Sequence, residues 1–153
     1  AAQRMVAERV TGVSAQLLIY PMIQYHDRTP PAFHALADKF HPSFEAVRNA
    51  WEAYLQRPVD KAGRYAVPPR GELAGLPPAL TIVAENDPLR FEAMEYAEQL
   101  KAAGVDSRLA DYKGTVHGFM NEPAVGVVCR ALLDTRHWLA TIGLLGEMKR
   151  NDD

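Results

Sequence analysis

"PALTIVAENDPLRFEAMEYAEQLKAAGVDSRLADYKG", residues 78–114, decides the architecture. Its opening is a nearly continuous apolar run closed by the polar Glu85, Asn86 and Asp87, the composition of a strand buried on both faces. The period then changes. Leu89, Ala93, Met94, Ala97 and Leu100 fall on one face of a helix that Gly104 closes, with the boundary at Asp87. The stretch from Asp106 to Gly114 reads as a further strand, more polar and therefore at or near a sheet edge. Strand, helix and strand in that order predict an α/β fold with a parallel sheet covered by helices.

The same alternation extends in both directions. Upstream, "AQLLIYP", Ala15–Pro21, is another short apolar run, expected as a strand buried on both faces. Ahead of it, Ala2, Met5, Val6 and Val10 share a helical face that ends at Gly12, a helix without its own beginning. A proline-rich stretch from Met22 to Pro78 breaks the alternation. Within it, Phe44, Val47, Trp51, Tyr54 and Leu55 recur at helical spacing behind Ser43, an N-cap candidate, so an amphipathic helix is expected in a cap-like insertion over the sheet. Downstream, Val125, Val128, Leu132 and Leu139 mark a last helix. The expected organisation is a helix and strand over 1–21, the cap-like or connecting insertion over 22–78, the second core segment over 79–142 and a polar tail over 143–153.

Composition bounds the function. With 153 residues, 48% apolar and 24% charged, and a net charge of -2, the chain reads as one soluble globular domain or a large piece of one. Lys101, Arg108, Lys113 and Arg130 are spread over three elements, so no basic stripe offers itself to nucleic acid. No apolar run approaches the roughly 20 residues that span a bilayer. The single cysteine, Cys129, excludes a disulfide framework, favours a cytoplasmic location and reads as a small buried hydrophobe. His26, His34 and His41 are spaced seven or eight apart, not at the i, i+4 interval that places two ligands on one helix face; no metal site and no cofactor are expected.

Two positions carry chemistry. In a parallel sheet all carboxyl ends lie on one side, so Asp87 after one strand and His117 after the next can meet although 30 residues separate them. Neighbouring strands lie ~5 Å apart, a gap that a loop bridges. An aspartate that accepts from one imidazole nitrogen fixes the tautomer and leaves the other nitrogen to take a proton from a hydroxyl. Gly118 allows the sharp turn that presents the ring. Each residue also has a plain structural reading. Asp87 before Pro88 suits an N-cap and N1 pair worth ~1 kcal/mol, and a lone histidine is most often a loop residue bonded to backbone.

The runs "LLIYP", "LAGLPPALTIVAENDPLR", "YAEQLKAAGVDSRLADYKG" and "VHGF" together resemble the carboxyl-terminal half of the hormone-sensitive-lipase-like α/β-hydrolase carboxylesterases, in order from Ala1 to Trp138. The resemblance implies a partial α/β-hydrolase fold holding the last three strands, with Asp87 as triad acid and His117 as general base. It also implies a small-molecule ester substrate with a short to medium acyl chain, and homodimers, which some members form. Family members often carry a second acid where Phe91 stands, so no helper role is expected there. Met22, Tyr25, Phe33, Trp51 and Phe119 are candidate apolar pocket walls.

The family's serine sits in G-x-S-x-G on a strand-to-helix elbow, with a His-Gly-Gly-Gly type loop upstream. Neither motif occurs here. The serines are Ser14, Ser43 and Ser107; "GVSAQ" at Gly12–Gln16 lacks the second glycine, and Ser14 precedes a strand where a nucleophile must follow one. The resemblance places the elbow just before Ala1, so the expected partner of this chain is the amino-terminal half of the same protein, and the chain alone is expected to be inactive. Two other readings stand beside the serine esterase: a non-catalytic hydrolase-like module that binds a small ligand, and another hydrolase of the same fold, such as a dienelactone hydrolase or a peptidase.

Overall fold

The computed structural model describes residues 2–8, 12–55, 63, 65–122 and 126–146. The chain divides into two compact units, Ala1–Gly118 and Phe119–Asp153. The first unit is built on three parallel strands, β1 (Gln16–Ile19), β2 (Ala79–Asn86) and β3 (Ser107–Val116), in the order β1-β2-β3. β2 is central, and its first six residues are all buried. Each fully buried aliphatic side chain of this kind contributes roughly 1.5–3 kcal/mol, so the apolar run of β2 fixes its own place in the middle.

Helix α4 (Arg90–Ala102) lies against β2 and β3. Ala93, Ala97 and Leu100 are buried on it as their spacing predicts, together with Tyr96, while Met94 is half-buried. The alanines let the helix approach the sheet closely. At its end the Val105 N–H reaches Leu100 O at 3.0 Å, the long-range bond of a Schellman cap, and Val105 is itself buried. The helix starts later than the Asp87-Pro88 pair suggests. Asp87, Pro88 and Leu89 form a turn ahead of it, and the Asp87 carboxylate accepts from the Leu89 N–H within that turn.

β1 forms where expected but is not buried on both faces. Leu17 is 43% exposed and the other three residues are intermediate, since β1 pairs with β2 alone among the described residues. Ahead of it, α1 (Ala2–Ala7) packs Ala2 against a cluster of Ile23, Leu76, Ala79, Tyr96 and Leu100. Val6 points outward, and Val10, expected on the same face, lies outside the described residues.

Between β1 and β2 the chain forms α2 (Pro31–Ala37), α3 (Phe44–Tyr54) and short 3-10 turns at His26–Arg28 and Pro68–Arg70. Ser43 caps α3 as expected, its Oγ accepting from the Ala46 N–H at 3.2 Å. Val47, Trp51 and Leu55, at i, i+4 and i+8, face inward and pack with Tyr25, Phe33, Val67 and Leu89. Tyr54, placed on the same face by its spacing, is 65% exposed: the inward row is the straight i, i+4 ridge, and Tyr54 lies on its flank beside Trp51.

The second unit comprises a 3-10 turn at Phe119–Asn121 and α5 (Gly126–Thr141). Its buried positions are Val128, Ala131, Thr135 and Trp138, so the expected inner residue Leu132 is outward, at 56% exposure, and Val125 lies outside the described residues. Thr135 disguised this face. Its hydroxyl donates to Ala131 O at 2.8 Å, which lets a polar side chain occupy a buried row. Cys129, read as a buried hydrophobe, is exposed, because it sits one residue past Val128 and off that row. Among the described residues no helix is long and apolar enough to cross a membrane.

Candidate active site

The site is assembled at the carboxyl ends of the three strands. Asn86, the last residue of β2, pairs with Val116, the last of β3, so the residues that follow them, Asp87 and His117, emerge side by side. That register depends on an irregularity. Ala84 pairs with Tyr112 but Asn86 pairs with Val116, so β3 carries two extra residues over this interval. Gly114 lies in the bulge with φ +70°, a conformation that glycine adopts without strain, and its N–H donates to Glu85 Oε2 at 2.8 Å. Thr115 Oγ1 donates back to Tyr112 O at 2.6 Å. Bulges of this kind re-aim a strand end; without this one, His117 would leave the sheet two residues further along β3.

Asp87 is 0% exposed, and both of its carboxylate oxygens are engaged. Oδ1 accepts from the Leu89 N–H at 2.8 Å, which closes the turn, while Oδ2 lies 2.8 Å from His117 Nδ1. One oxygen therefore closes the turn ahead of α4 and the other meets the imidazole. A buried carboxylate with no partners is strongly disfavoured, and these two bonds account for its place in the interior. With Nδ1 turned to the carboxylate, Nε2 is the opposite nitrogen of a ring that is about one-quarter exposed.

Two further aromatic rings stand beside the imidazole. Tyr20, at the end of β1, has its ring centroid 4.7 Å from that of His117, and His41 lies at 6.2 Å. A cleft of about 460 Å³ opens here, lined by Tyr20, Met22, His41, Ala46, Leu89 and His117 among others. Glu92 on α4 is buried. Its Oε1 accepts from the backbone N–H groups of Ile23 at 2.5 Å and Gln24 at 3.1 Å. Burial pushes the Glu92 carboxyl up to about 7; the two N–H donors oppose that shift and the charge of Asp87 adds to it.

Of the residues singled out from the sequence, Asp87 and His117 are brought together, and Met22 lines the cleft beside them. Tyr25, Phe33 and Trp51 do not line this cleft; they are buried in the cluster beneath α3, and the Tyr25 hydroxyl donates to Glu52 Oε1 at 2.8 Å. Phe119 is buried and belongs to the second unit. Phe91 packs at the edge of the α3 cluster with the Arg90 guanidinium 5.7 Å from its ring centre, an apolar role in keeping with the missing acid. None of the serines reaches the pair through its strand: Ser14 precedes β1 at the other end of the sheet, Ser43 caps α3, and Ser107 opens β3 with its hydroxyl on Ala97 O.

His26 lies against the Tyr25 ring and the exposed His34 against that of Phe44, and no three His, Cys, Asp or Glu side chains among the described residues are grouped to hold a metal ion. Tyr20, His41 and Glu92 were not anticipated. Tyr20 was within reach, since the carboxyl-end argument that selects Asp87 and His117 applies equally to the residue after "LLI". His41 and Glu92 carried no such signal: one arrives through the path of the insertion, and the other is an acid on the buried side of a helix.

Comparison with known proteins agrees with this geometry. A family model described as the α/β-hydrolase fold matches residues 1–121. Carboxylesterase NlhH of Mycobacterium tuberculosis is 48% identical over 112 residues, covering 69% of this chain and 34% of that protein. Ethyl acetate hydrolase of Pseudomonas putida is 29% identical over 121 residues, or 78% of this chain and 38% of that protein. Among solved structures, the hyperthermophilic esterase of the archaeon Pyrobaculum calidifontis superposes with a TM-score of 0.82 at 29% identity, covering 94% of this chain and 48% of that one. A thermostable carboxylesterase cloned from a metagenomic library gives a TM-score of 0.77 at 31% identity, over 92% and 47%. The chain thus spans about a third of the curated relatives named here and about half of the solved ones. With three parallel strands and an acid and a histidine at their carboxyl ends, the chain belongs to the α/β-hydrolase fold family, on the side of its hormone-sensitive-lipase-like carboxylesterases.

Proposed function

We propose that this chain supplies the acid and the base of a carboxylic ester hydrolase whose serine nucleophile and oxyanion-hole loop come from residues outside this sequence. The observation that carries the reading is the 2.8 Å contact between Asp87 Oδ2 and His117 Nδ1 at the carboxyl ends of two parallel strands. In this reading Asp87 holds the imidazole with Nδ1 protonated, so Nε2 takes the proton of the serine hydroxyl as it attacks the ester carbonyl. The protonated His117 then gives that proton to the departing alkoxide. Water, deprotonated in turn by Nε2, releases the acyl group from the serine. The carboxylate orients the ring and stabilises its positive charge without taking the proton itself.

The substrate is a small ester with a short to medium acyl chain. Support comes from the cleft beside His117, which is of small-molecule size and lined by Met22, Ala46 and Leu89, and from relatives named as carboxylesterases and an ethyl acetate hydrolase. Residues 22–78 act as the cap over that cleft, and the cytoplasm is the compartment in which the reaction is placed.

The test is turnover of p-nitrophenyl acetate and butyrate by the protein carrying this chain, followed by His117→Ala and Asp87→Asn. Both variants are expected to lose about 10⁴-fold or more in kcat. Hydrolysis that survives His117→Ala at the parental rate removes the assignment.

A further inference from the structure

A hydrogen bond at Nδ1 fixes one atom of a flat ring but not the tilt of the ring about that bond. In this protein the tilt is bounded by Tyr20. Its ring centroid stands 4.7 Å from that of His117, with the planes inclined at 58°, inside the range of favourable aromatic pairs. Tyr20 reaches that position by an unusual backbone. It is the only non-glycine among the described residues with a positive φ, +33°, and it precedes Pro21, which itself disfavours compact conformations in the residue before it. The Tyr20 N–H donates to Ile82 O at 2.8 Å, so the sheet pins this conformation in place. A bulky aromatic residue here is an outlier that only surrounding structure can maintain, and such outliers cluster at functional sites. Glycine or asparagine would meet the backbone demand with less strain; what they lack is the ring.

We propose that Tyr20 is a positioning residue for His117: the turn at the end of β1 sets the tyrosine ring against the imidazole, fixing its tilt so that Nε2 is held toward the cleft. The inference rests on the esterase reading given above and adds a third strand end to the site. Among the described residues, the groups placed against the imidazole are then Asp87 from the turn after β2, Tyr20 from the end of β1 and His41 from the segment between α2 and α3, and the charge of Asp87 also acts on Glu92. The role is one of aim. A misplaced base loses rate while substrate binding is spared, because misplacement of a reacting group by about 1 Å costs on the order of 10²-fold.

The experiment compares Tyr20→Phe, which keeps the ring, with Tyr20→Asn, which suits a positive φ and removes it. For each, kcat and KM for p-nitrophenyl butyrate, the thermal midpoint, and the ¹⁵N-histidine NMR signals of His117 are recorded in the whole protein. Tyr20→Phe is expected to retain kcat within about twofold. Tyr20→Asn is expected to lower kcat by about 10- to 100-fold with KM within about threefold and an undiminished thermal midpoint, the His117 ring signals broadening in this variant only. Parental kcat in Tyr20→Asn overturns the proposal, as does a Tyr20→Phe variant equally impaired. A kcat loss that comes with a fall in thermal midpoint marks ordinary packing and overturns it too. Asp87→Asn, measured alongside, separates the two ideas: if that variant turns over normally, the esterase reading has failed, and the His117 signals still decide whether Tyr20 holds the ring.

Discussion

Asp87 and His117 meet at 2.8 Å across two strand ends, and the aspartate that holds this contact also closes its own turn through the Leu89 N–H. One carboxylate thus joins local folding to the chemistry of the site. The two tasks separate by substitution. In Asp87→Asn the amide oxygen can still accept from Leu89, but the side chain no longer carries a charge for the imidazole. Loss of about 10⁴-fold in kcat is expected, with the thermal midpoint within a few degrees of the parent. Asp87→Ala removes the turn bond as well and is expected to destabilise by a further ~1–2 kcal/mol. Equal midpoints for the two variants would show that the Leu89 bond contributes nothing.

Glu92 gives a pH dependence whose sign is set by its burial. Its carboxyl rises to about 7 in the fold from an ordinary 4.5, so the folded state favours the protonated form. The stability linked to that proton is fully present below about pH 4.5 and is lost as the pH climbs through about 7, a span worth about 3 kcal/mol. In Glu92→Gln the amide oxygen can still accept from Ile23 and Gln24 while the ionisation is gone. Urea denaturation at pH 5 and pH 8 is expected to show the variant losing less stability over that interval than the parent. Parallel losses in both would rule out Glu92 as the titrating group.

The legible part of this fold was the part written in apolar periods. β2 and α4 could be read because burial on both faces, or on one helical face, leaves a direct trace in residues 79–100, and Asp87 and His117 could be read because parallel strands share a carboxyl end. What escaped reading was set by contacts the period does not encode. Thr135 and Glu92 are polar residues on buried rows, made tolerable by bonds to Ala131 O and to the Ile23 and Gln24 N–H groups. Tyr54 shares the helical spacing of Trp51 yet faces solvent. The two-residue bulge at Gly114 leaves no trace in hydrophobicity, although it determines where His117 emerges.

Two aromatic residues of α3, Trp51 and Tyr54, test the orientation of that helix. Trp51 is 2% exposed and Tyr54 65% exposed. Trp51→Ala is expected to destabilise by about 3–5 kcal/mol through lost burial and a residual cavity, and Tyr54→Ala by no more than about 0.5 kcal/mol. Chemical denaturation of both variants checks this, and a comparable loss in each would mean that the helix is rotated from the orientation described.

Gly114 connects strand geometry to the position of His117 most directly. At φ +70° any side chain is strained, by roughly 1–2 kcal/mol for an L-residue in the left-handed region. No neighbouring atom lies within 4 Å of a β-carbon placed there, so Gly114→Ala acts through the backbone and not through a clash. The bulge can respond in two ways. If it keeps its form, stability falls by the strain energy and turnover is unchanged. If it relaxes, the strand end rotates, His117 leaves Asp87, and kcat falls far more than the thermal midpoint suggests. We expect the second, because the Glu85 contact and the Thr115 hydroxyl brace the bulge and the Glu85 side chain is part-exposed. Measuring kcat and the thermal midpoint of Gly114→Ala together distinguishes them, and a variant with lowered midpoint but parental kcat would show that the bulge is rigid without the glycine.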